Sequence, residues 1–260
     1  MMEKRKKKNV GHVVKDYVGE PNTPEMVLEQ SAARRSRRPY GGNARNARRR
    51  LLSVGLKIFA EKGYERARIR EICEVSHSNL ASVNYYFRDK AGYYQEVREY
   101  AQALRLQEIQ KLLKAKNKDP WDALSRHIGT LVGYSYDDDM FYAAWMALRE
   151  FLENPEDDED PQAQAPRIAY EARIRDLLIR ILGDKASEQN VALLHYTYAS
   201  LCFFLLLESP RFGRCQENPL QVKPWHTAEQ LRDHIMGIVR YTVEHMAVAE
   251  APLSPASPEA

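Results

Sequence analysis

A chain of 260 residues, 44% apolar and 29% charged, is long enough to bury a sizeable core and too apolar to be disordered throughout. Its net charge of +3 hides an asymmetry: residues 1–100 carry 22 Lys+Arg against 12 Asp+Glu, and residues 101–260 carry 17 against 24. A basic front and an acidic rear suggest a nucleic-acid-facing N-terminal part and a C-terminal part with another task. Three scattered cysteines (Cys73, Cys202 and Cys215) without a CxxC pair argue against a disulfide framework or zinc site and fit reduced thiols in a cytosol.

Residues 1–44 have no sustained apolar period and carry the basic clusters Lys4-Arg5-Lys6-Lys7-Lys8 and Arg34-Arg35-Ser36-Arg37-Arg38. They read as a disordered basic arm. No apolar stretch follows the first cluster, so the segment does not read as a secretory signal. Either Met1 or Met26 can be the start.

Glycine is sparse, and no alternating apolar and polar run lies between turn signals, so the fold class is all-α. Leu52, Leu56 and Phe59 form one stripe of a helix over Ala47 to Lys62, with Gly63 at its stop. A short helix from Arg68 to Val75 buries Ile69, Ile72 and Cys73. Another, from Leu80 to Phe87, starts after Asn79, a good N-cap. Tyr93, Val97, Tyr100 and Leu104 recur along a longer helix from Lys90 through Lys114. Asp119-Pro120 starts the next, which runs to Tyr134.

A helix from Met140 to Leu152 leads into an acidic stretch, Glu153 to Pro161, which lacks the ligand spacing and turn glycine of a calcium loop and reads as solvated. Further helices are expected over 166–183, 187–208 and 227–249, the last opened by the capping box Thr227-Ala228-Glu229-Gln230. Val191 to Leu207 is apolar, but it is short for a span needing about 20 residues and contains His195, Thr197 and Ser200. A buried helix is expected there, and no membrane partner. The Pro/Ser/Ala tail is expected to be disordered.

Two short helices around a tight turn at 76–78 form a helix-turn-helix, whose second helix enters the major groove. On that second helix Val83 and Phe87 are one turn apart and should be buried, leaving Leu80, Ser82, Asn84, Tyr85 and Tyr86 to face outward or sideways. Exposed aromatics and a leucine on so short a helix suit a DNA surface with its thymine methyls and sugars.

Leu51-Leu52-Ser53-Val54-Gly55-Leu56-Lys57-Ile58-Phe59-Ala60-Glu61-Lys62-Gly63-Tyr64 resembles the first helix of the TetR/AcrR family of bacterial regulators. Asn79 to Lys90 resembles that family's recognition helix and the start of its fourth helix. Asn84-Tyr85-Tyr86-Phe87, and Leu148-Arg149-Glu150 before Pro155, resemble the CerR/CecR branch. The resemblance makes Leu80, Ala81, Ser82, Asn84 and Tyr85 the groove-facing set. Tyr86 and Lys90 would then contact phosphates, Lys90 aided by the partial positive charge at the fourth helix's N-terminus.

Two positions depart from the family pattern. Ser76-His77-Ser78 replaces a turn that usually contains glycine, and Ala67 replaces a capping Thr or Ser, losing a cap worth about 1 kcal/mol. Arg66 and Arg68 flank Ala67, poorly placed for the helix dipole and well placed for a phosphate.

The resemblance further implies a small-molecule site between C-terminal helices, a homodimer formed by helices 187–208 and 227–249, and repression as the mode of regulation. The organisation expected is therefore an arm over 1–44, a DNA-binding domain over 45–105, a regulatory and dimerisation domain over 106–249, and a tail over 250–260. Candidate ligand residues are Tyr134, Phe141, Tyr142, Trp145, Arg149 and Tyr198, although an aromatic stripe of this kind is more often core than pocket. The effector expected is apolar or aromatic, with Arg149 as an anchor for any negative charge.

No P-loop, GxGxxG, HExxH or GxSxG is present, and the histidines lack metal-ligand spacing, so no catalytic residue, metal or cofactor is assigned. The reading is a cytoplasmic, nucleoid-associated regulator bound to double-stranded operator DNA. The alternative is a helical protein that coats DNA without sequence preference and has no ligand sensor.

Overall fold

The computed structural model describes residues 42–114, 119–153, 161–207 and 227–255. Among the described residues the chain is all-helical: α1 Gly42–Arg66, α2 Ile69–Val75, α3 Leu80–Phe87, α4 Lys90–Lys114, α5 Pro120–Gly133, α6 Asp138–Glu153, α7 Pro161–Leu182, α8 Glu188–Leu207 and α9 Ala228–His245. Residues 1–41 of the expected arm, residues 154–160 of the acidic stretch and Cys215 lie outside this description.

The local signals act where the sequence places them. Asn79 Oδ1 accepts from the Ser82 N–H, Asp119 accepts from the Trp121 N–H ahead of Pro120, and Thr227 and Gln230 cap each other reciprocally. Such bonds satisfy amides that a helix's first turn leaves unpaired.

Some boundaries differ from expectation: α7 begins at Pro161 rather than 166, and α9 ends at His245 rather than 249. Helix α1 begins at Gly42 rather than Ala47, so the last residues assigned to the arm are helical. Within α1 the backbone of Gly63 (φ 74, ψ 172) is not helical, so the regular helix ends there as its sequence suggested.

The helices enclose two apolar cores. The first joins α1, α2, α3, the front half of α4, and α6, around Leu52, Leu56, Phe59, Ile72, Phe87 and Tyr93. The second joins α5, α7, α8 and α9, around Leu124, Ile128, Leu178, Leu194, Tyr198 and Val239. Helix α4 links them. Its 25 residues extend about 37 Å at about 1.5 Å each, placing Tyr93, Val97 and Tyr100 in the first core and Leu112 against the second.

Helix α6 falls in the first core, although the sequence grouped it with the C-terminal part. Phe141, Tyr142 and Met146 are buried against that core, and Asp139 accepts from Ser53 Oγ of α1 at 2.6 Å and from the Tyr100 hydroxyl of α4 at 2.9 Å.

Helix α8 is apolar and long enough to cross a membrane. It buries Val191, Leu194, Tyr198 and Cys202 in the second core but leaves Leu193, Tyr196, Phe203, Phe204 and Leu207 exposed. The expected buried helix is thus buried on one face only, because α5, α7 and α9 cover just that face.

The start of the C-terminal tail also departs from expectation. The Ala249 and Leu253 N–H groups donate to the Asp184 and Ala186 carbonyls, at 3.1 and 2.8 Å, and Leu253 packs on the second core. Those backbone bonds hold residues 249–253 in place.

Candidate nucleic-acid interface

The turn between α2 and α3 is built from backbone hydrogen bonds. Ser76 N–H donates to the Ile72 carbonyl at 2.9 Å, and Ser78 N–H to the Cys73 carbonyl at 2.9 Å. Reversing the chain this tightly puts His77 in the left-handed region at φ 49, the position a glycine suits best. Histidine tolerates this region better than most residues, which is how the turn closes without glycine.

Helix α3 is anchored on one face and open on the other. Val83 and Phe87 are buried as their spacing required, while Leu80 is 50% and Tyr85 68% exposed. Ala81 and Asn84 are exposed beside them, and Ser82 and Tyr86 are half-buried. Tyr86 packs edge-on to Tyr85, with centroids 5.2 Å apart. Ser82 Oγ lies 3.0 Å from the capping Asn79 Oδ1.

Its inner face is set rigidly. Phe87 stacks on Tyr93 of α4 with centroids 4.2 Å apart, and the Arg48 guanidinium sits 5.6 Å over the same Phe87 ring. Arg48 also forms a buried ion pair with Glu96, tying α1 to α4. The Tyr93 hydroxyl, its acidity suppressed by burial, donates to the Leu51 carbonyl at 2.5 Å. It passes so close to Gly55 that a Cβ there would lie 2.6 Å from it, so only glycine fits.

Cations stand at the ends of the helices in this unit. Arg66 and Arg68 are exposed at the α1–α2 junction, and no side chain caps the start of α2, as Ala67 implied. Arg66 Nε donates to the Lys62 carbonyl at 3.1 Å. Lys90 Nζ donates to the Glu65 carbonyl at 3.2 Å and sits 4.6 Å over the Tyr64 ring. Exposed Arg70 on α2 and Arg88, which ends α3 at φ 73, extend this basic set. The sequence reading passed over both, although each lies beside a helix already identified and could have been found by asking which cations flank it.

The six candidate ligand residues are not gathered together. Phe141, Tyr142 and Trp145 pack in the first core, and Arg149 reaches the end of α1. Tyr134 lies on the other side of α4's span, at a cavity between α4, α5 and α7, and Tyr198 is sealed inside the second core. Arg149 Nε and Nη2 donate to the carbonyls of Ala60 and Glu61, so that charge is engaged within the protein. No group of three or more His, Cys, Asp or Glu side chains among the described residues is placed to hold a metal.

Residues 51–97 match the family model described as bacterial regulatory proteins, tetR family. The chain carries a tetR-type DNA-binding domain. The match covers the end of the supporting helix α1, all of α2 and α3, and the part of α4 that packs on them. The protein is thus a DNA-binding transcriptional regulator. No curated protein matches this regulator significantly.

Proposed function

We propose that this regulator is a homodimeric, sequence-specific repressor that leaves a palindromic operator when a small molecule binds its C-terminal part. The observation that carries the DNA half is the exposure of Leu80 and Tyr85 on a helix whose other face is locked into a core. In this reading Leu80, Ala81, Ser82, Asn84 and Tyr85 meet base edges, while Arg66, Arg68, Tyr86 and Lys90 meet phosphates. Arg70 and Arg88 join the phosphate set.

The exposed apolar face of α8, with Tyr196, Phe203 and Phe204, and the exposed Tyr241 of α9 support dimerisation, because a second copy would cover them. A two-fold dimer would place its recognition helices on half-sites about 34 Å apart, hence the palindrome. The operator is double-stranded DNA, the setting is the bacterial nucleoid in the cytoplasm, and the effector is apolar or aromatic. The likeness of 84–87 and 148–150 to the CerR/CecR branch is consistent with this role.

The test is selection of binding sites from random DNA, then titration of the selected site and of scrambled DNA at several salt concentrations. A repressor of this kind should prefer its palindrome by at least about a thousandfold. Equal affinity for both would make the protein a nonspecific DNA-coating protein instead.

A further inference from the structure

Among the described residues only two that are not glycine have φ in the left-handed region, and they stand at the two ends of α3. His77, at φ 49, comes before it, and Arg88, at φ 73, ends it. We propose that both side chains grip the DNA backbone, each on a phosphate of a different strand, so that α3 is pinned across the major groove at its two ends. The grip rests on the reading of α3 as the groove-facing helix. It adds His77 to the DNA contacts and gives Arg88 a fixed place among them.

Arg88 is the more strained of the two. Its φ of 73 and ψ of −59, with the Asp89 N–H donating to the Phe87 carbonyl at 3.0 Å, make the γ-turn of positive φ, a rare form for any residue with a Cβ. The corner itself does not require an arginine. Phe87 is held by its stack on Tyr93, and Asp89 caps α4 by accepting from the Gly92 N–H at 2.7 Å. The Phe87 carbonyl lies so close over α4 that a Cβ on Gly92 would be 2.5 Å from it. These neighbours fix the turn from both sides, and glycine at 88 would complete it without strain.

Strain of this kind gathers where a side chain has a task. The Arg88 guanidinium has none within the protein: it is exposed and makes no hydrogen bond or ion pair among the described residues. Its backbone sets it on the DNA-reading side. The Arg88 N–H donates to the Asn84 carbonyl at 3.0 Å, so Arg88 keeps helical register and follows Ala81, Asn84 and Tyr85 along one exposed stripe.

His77 repeats the pattern at the other end. Ser76, fully buried, forms the inside of the turn, and exposed His77 forms its outside. The imidazole also has no hydrogen-bond partner among the described residues. Between the two, α3 runs 8 residues, about 12 Å at about 1.5 Å each. The major groove is about 12 Å wide, so donors at both ends of a helix seated in it reach opposite walls. Guanidinium and imidazole N–H groups both suit phosphate oxygens.

The test uses the full-length protein and its selected operator. Arg88→Gly and His77→Gly remove the donor and relieve the backbone, whereas Arg88→Ala and His77→Ala remove the donor and keep the Cβ. Urea midpoints should rise or hold for the glycine variants and hold for the alanine variants. Affinity for the selected site and for scrambled DNA should fall together, by at least about fivefold for both Arg88 variants and about threefold for both His77 variants. Ethylation interference should then show one phosphate that no longer matters to the Arg88 variants, and one on the other strand that no longer matters to the His77 variants.

Unchanged affinity at either position would overturn the grip. So would a loss confined to the glycine variants, which would trace to backbone freedom, or two lost phosphates on the same strand. A lower midpoint in both variants of one residue would show that its side chain supports the fold, and would overturn the grip as well. Guanine N7 methylation interference on the same DNA reports on α3 separately. Groove interference beside unchanged phosphate contacts would overturn the grip and leave the reading helix standing, whereas no groove interference would overturn the reading helix itself.

Discussion

Arg149 of α6 donates from Nε to the Ala60 carbonyl at 3.1 Å, and from Nη2 to the Glu61 carbonyl at 3.2 Å. These carbonyls belong to the last regular turn of α1, just before Gly63 leaves helical geometry. A helix end leaves such oxygens unpaired and partly negative, so a guanidinium there satisfies them and complements the dipole. The adjacent Tyr142 hydroxyl donates to the Glu61 carboxylate at 2.9 Å, making a second tie between the same helices. Arg149 is therefore a clamp between α6 and the helix that frames the DNA reader.

Removing that clamp should be felt in stability. Arg149→Ala is expected to cost about 1–3 kcal/mol, the usual range for losing charge-assisted hydrogen bonds. Arg149→Lys should recover only part, since an ammonium cannot span two carbonyls in a fixed fork. Urea midpoints for the three proteins check this, and an unchanged midpoint for Arg149→Ala would remove the clamp.

DNA contacts should divide by kind. Lys90→Ala and Tyr86→Ala should weaken binding to all sequences about equally, and Lys90→Ala should lower the salt slope by about one unit. A Ser82/Tyr85 double substitution to Ala should instead change the selected sequence while nonspecific affinity stays nearly the same. Its Ser82 component also removes a hydroxyl beside the Asn79 cap, although the capping bond itself comes from the Ser82 backbone. Anisotropy titrations and site selection read the two effects separately, and identical selected sites would remove these side chains from readout.

The turn offers a stabilising change. His77 sits at φ 49 with its side chain exposed, so His77→Gly relieves backbone strain without removing a packed group. The gain should be up to about 1 kcal/mol, reduced by glycine's greater freedom in the unfolded chain. Thermal unfolding checks it; a lower midpoint would show that the histidine ring itself supports the turn.

Burial of His127 predicts an acid-side loss of stability. Desolvation is the main cause of its depressed pKa, with neighbouring His195 contributing, and the folded value is about 4 against 6.5 for a solvent-exposed histidine. The folded pKa lies below the unfolded one, so as pH falls through 6.5 the unfolded chain takes up the proton first. Stability from this residue is thus fully present above 6.5 and drains away down to about 4, by on the order of 3 kcal/mol. His127→Gln, which cannot charge, should flatten that part of the profile. Denaturation measured from neutral to acid pH for both proteins checks it, and parallel profiles would contradict the assignment.

Sequence alone was sufficient for features that depend on a few adjacent residues. The caps at Asn79, Asp119 and Thr227 are local hydrogen bonds, and the split of α3 into buried Val83 and Phe87 against exposed Leu80 and Tyr85 follows from helical spacing. The DNA-reading unit was legible because nearly all of its groups lie within one continuous stretch, 51–97. Periodicity tells which side of a helix is apolar but not which helix meets it. Only the tertiary structure could send Phe141, Tyr142 and Trp145 to the first core and Tyr198 to the second. It likewise took Arg149 to carbonyls nearly ninety residues away and left half of apolar α8 uncovered. Those outcomes depend on how long helices cross in space, and the contacts that decide them join residues too far apart in the chain to leave a local signature.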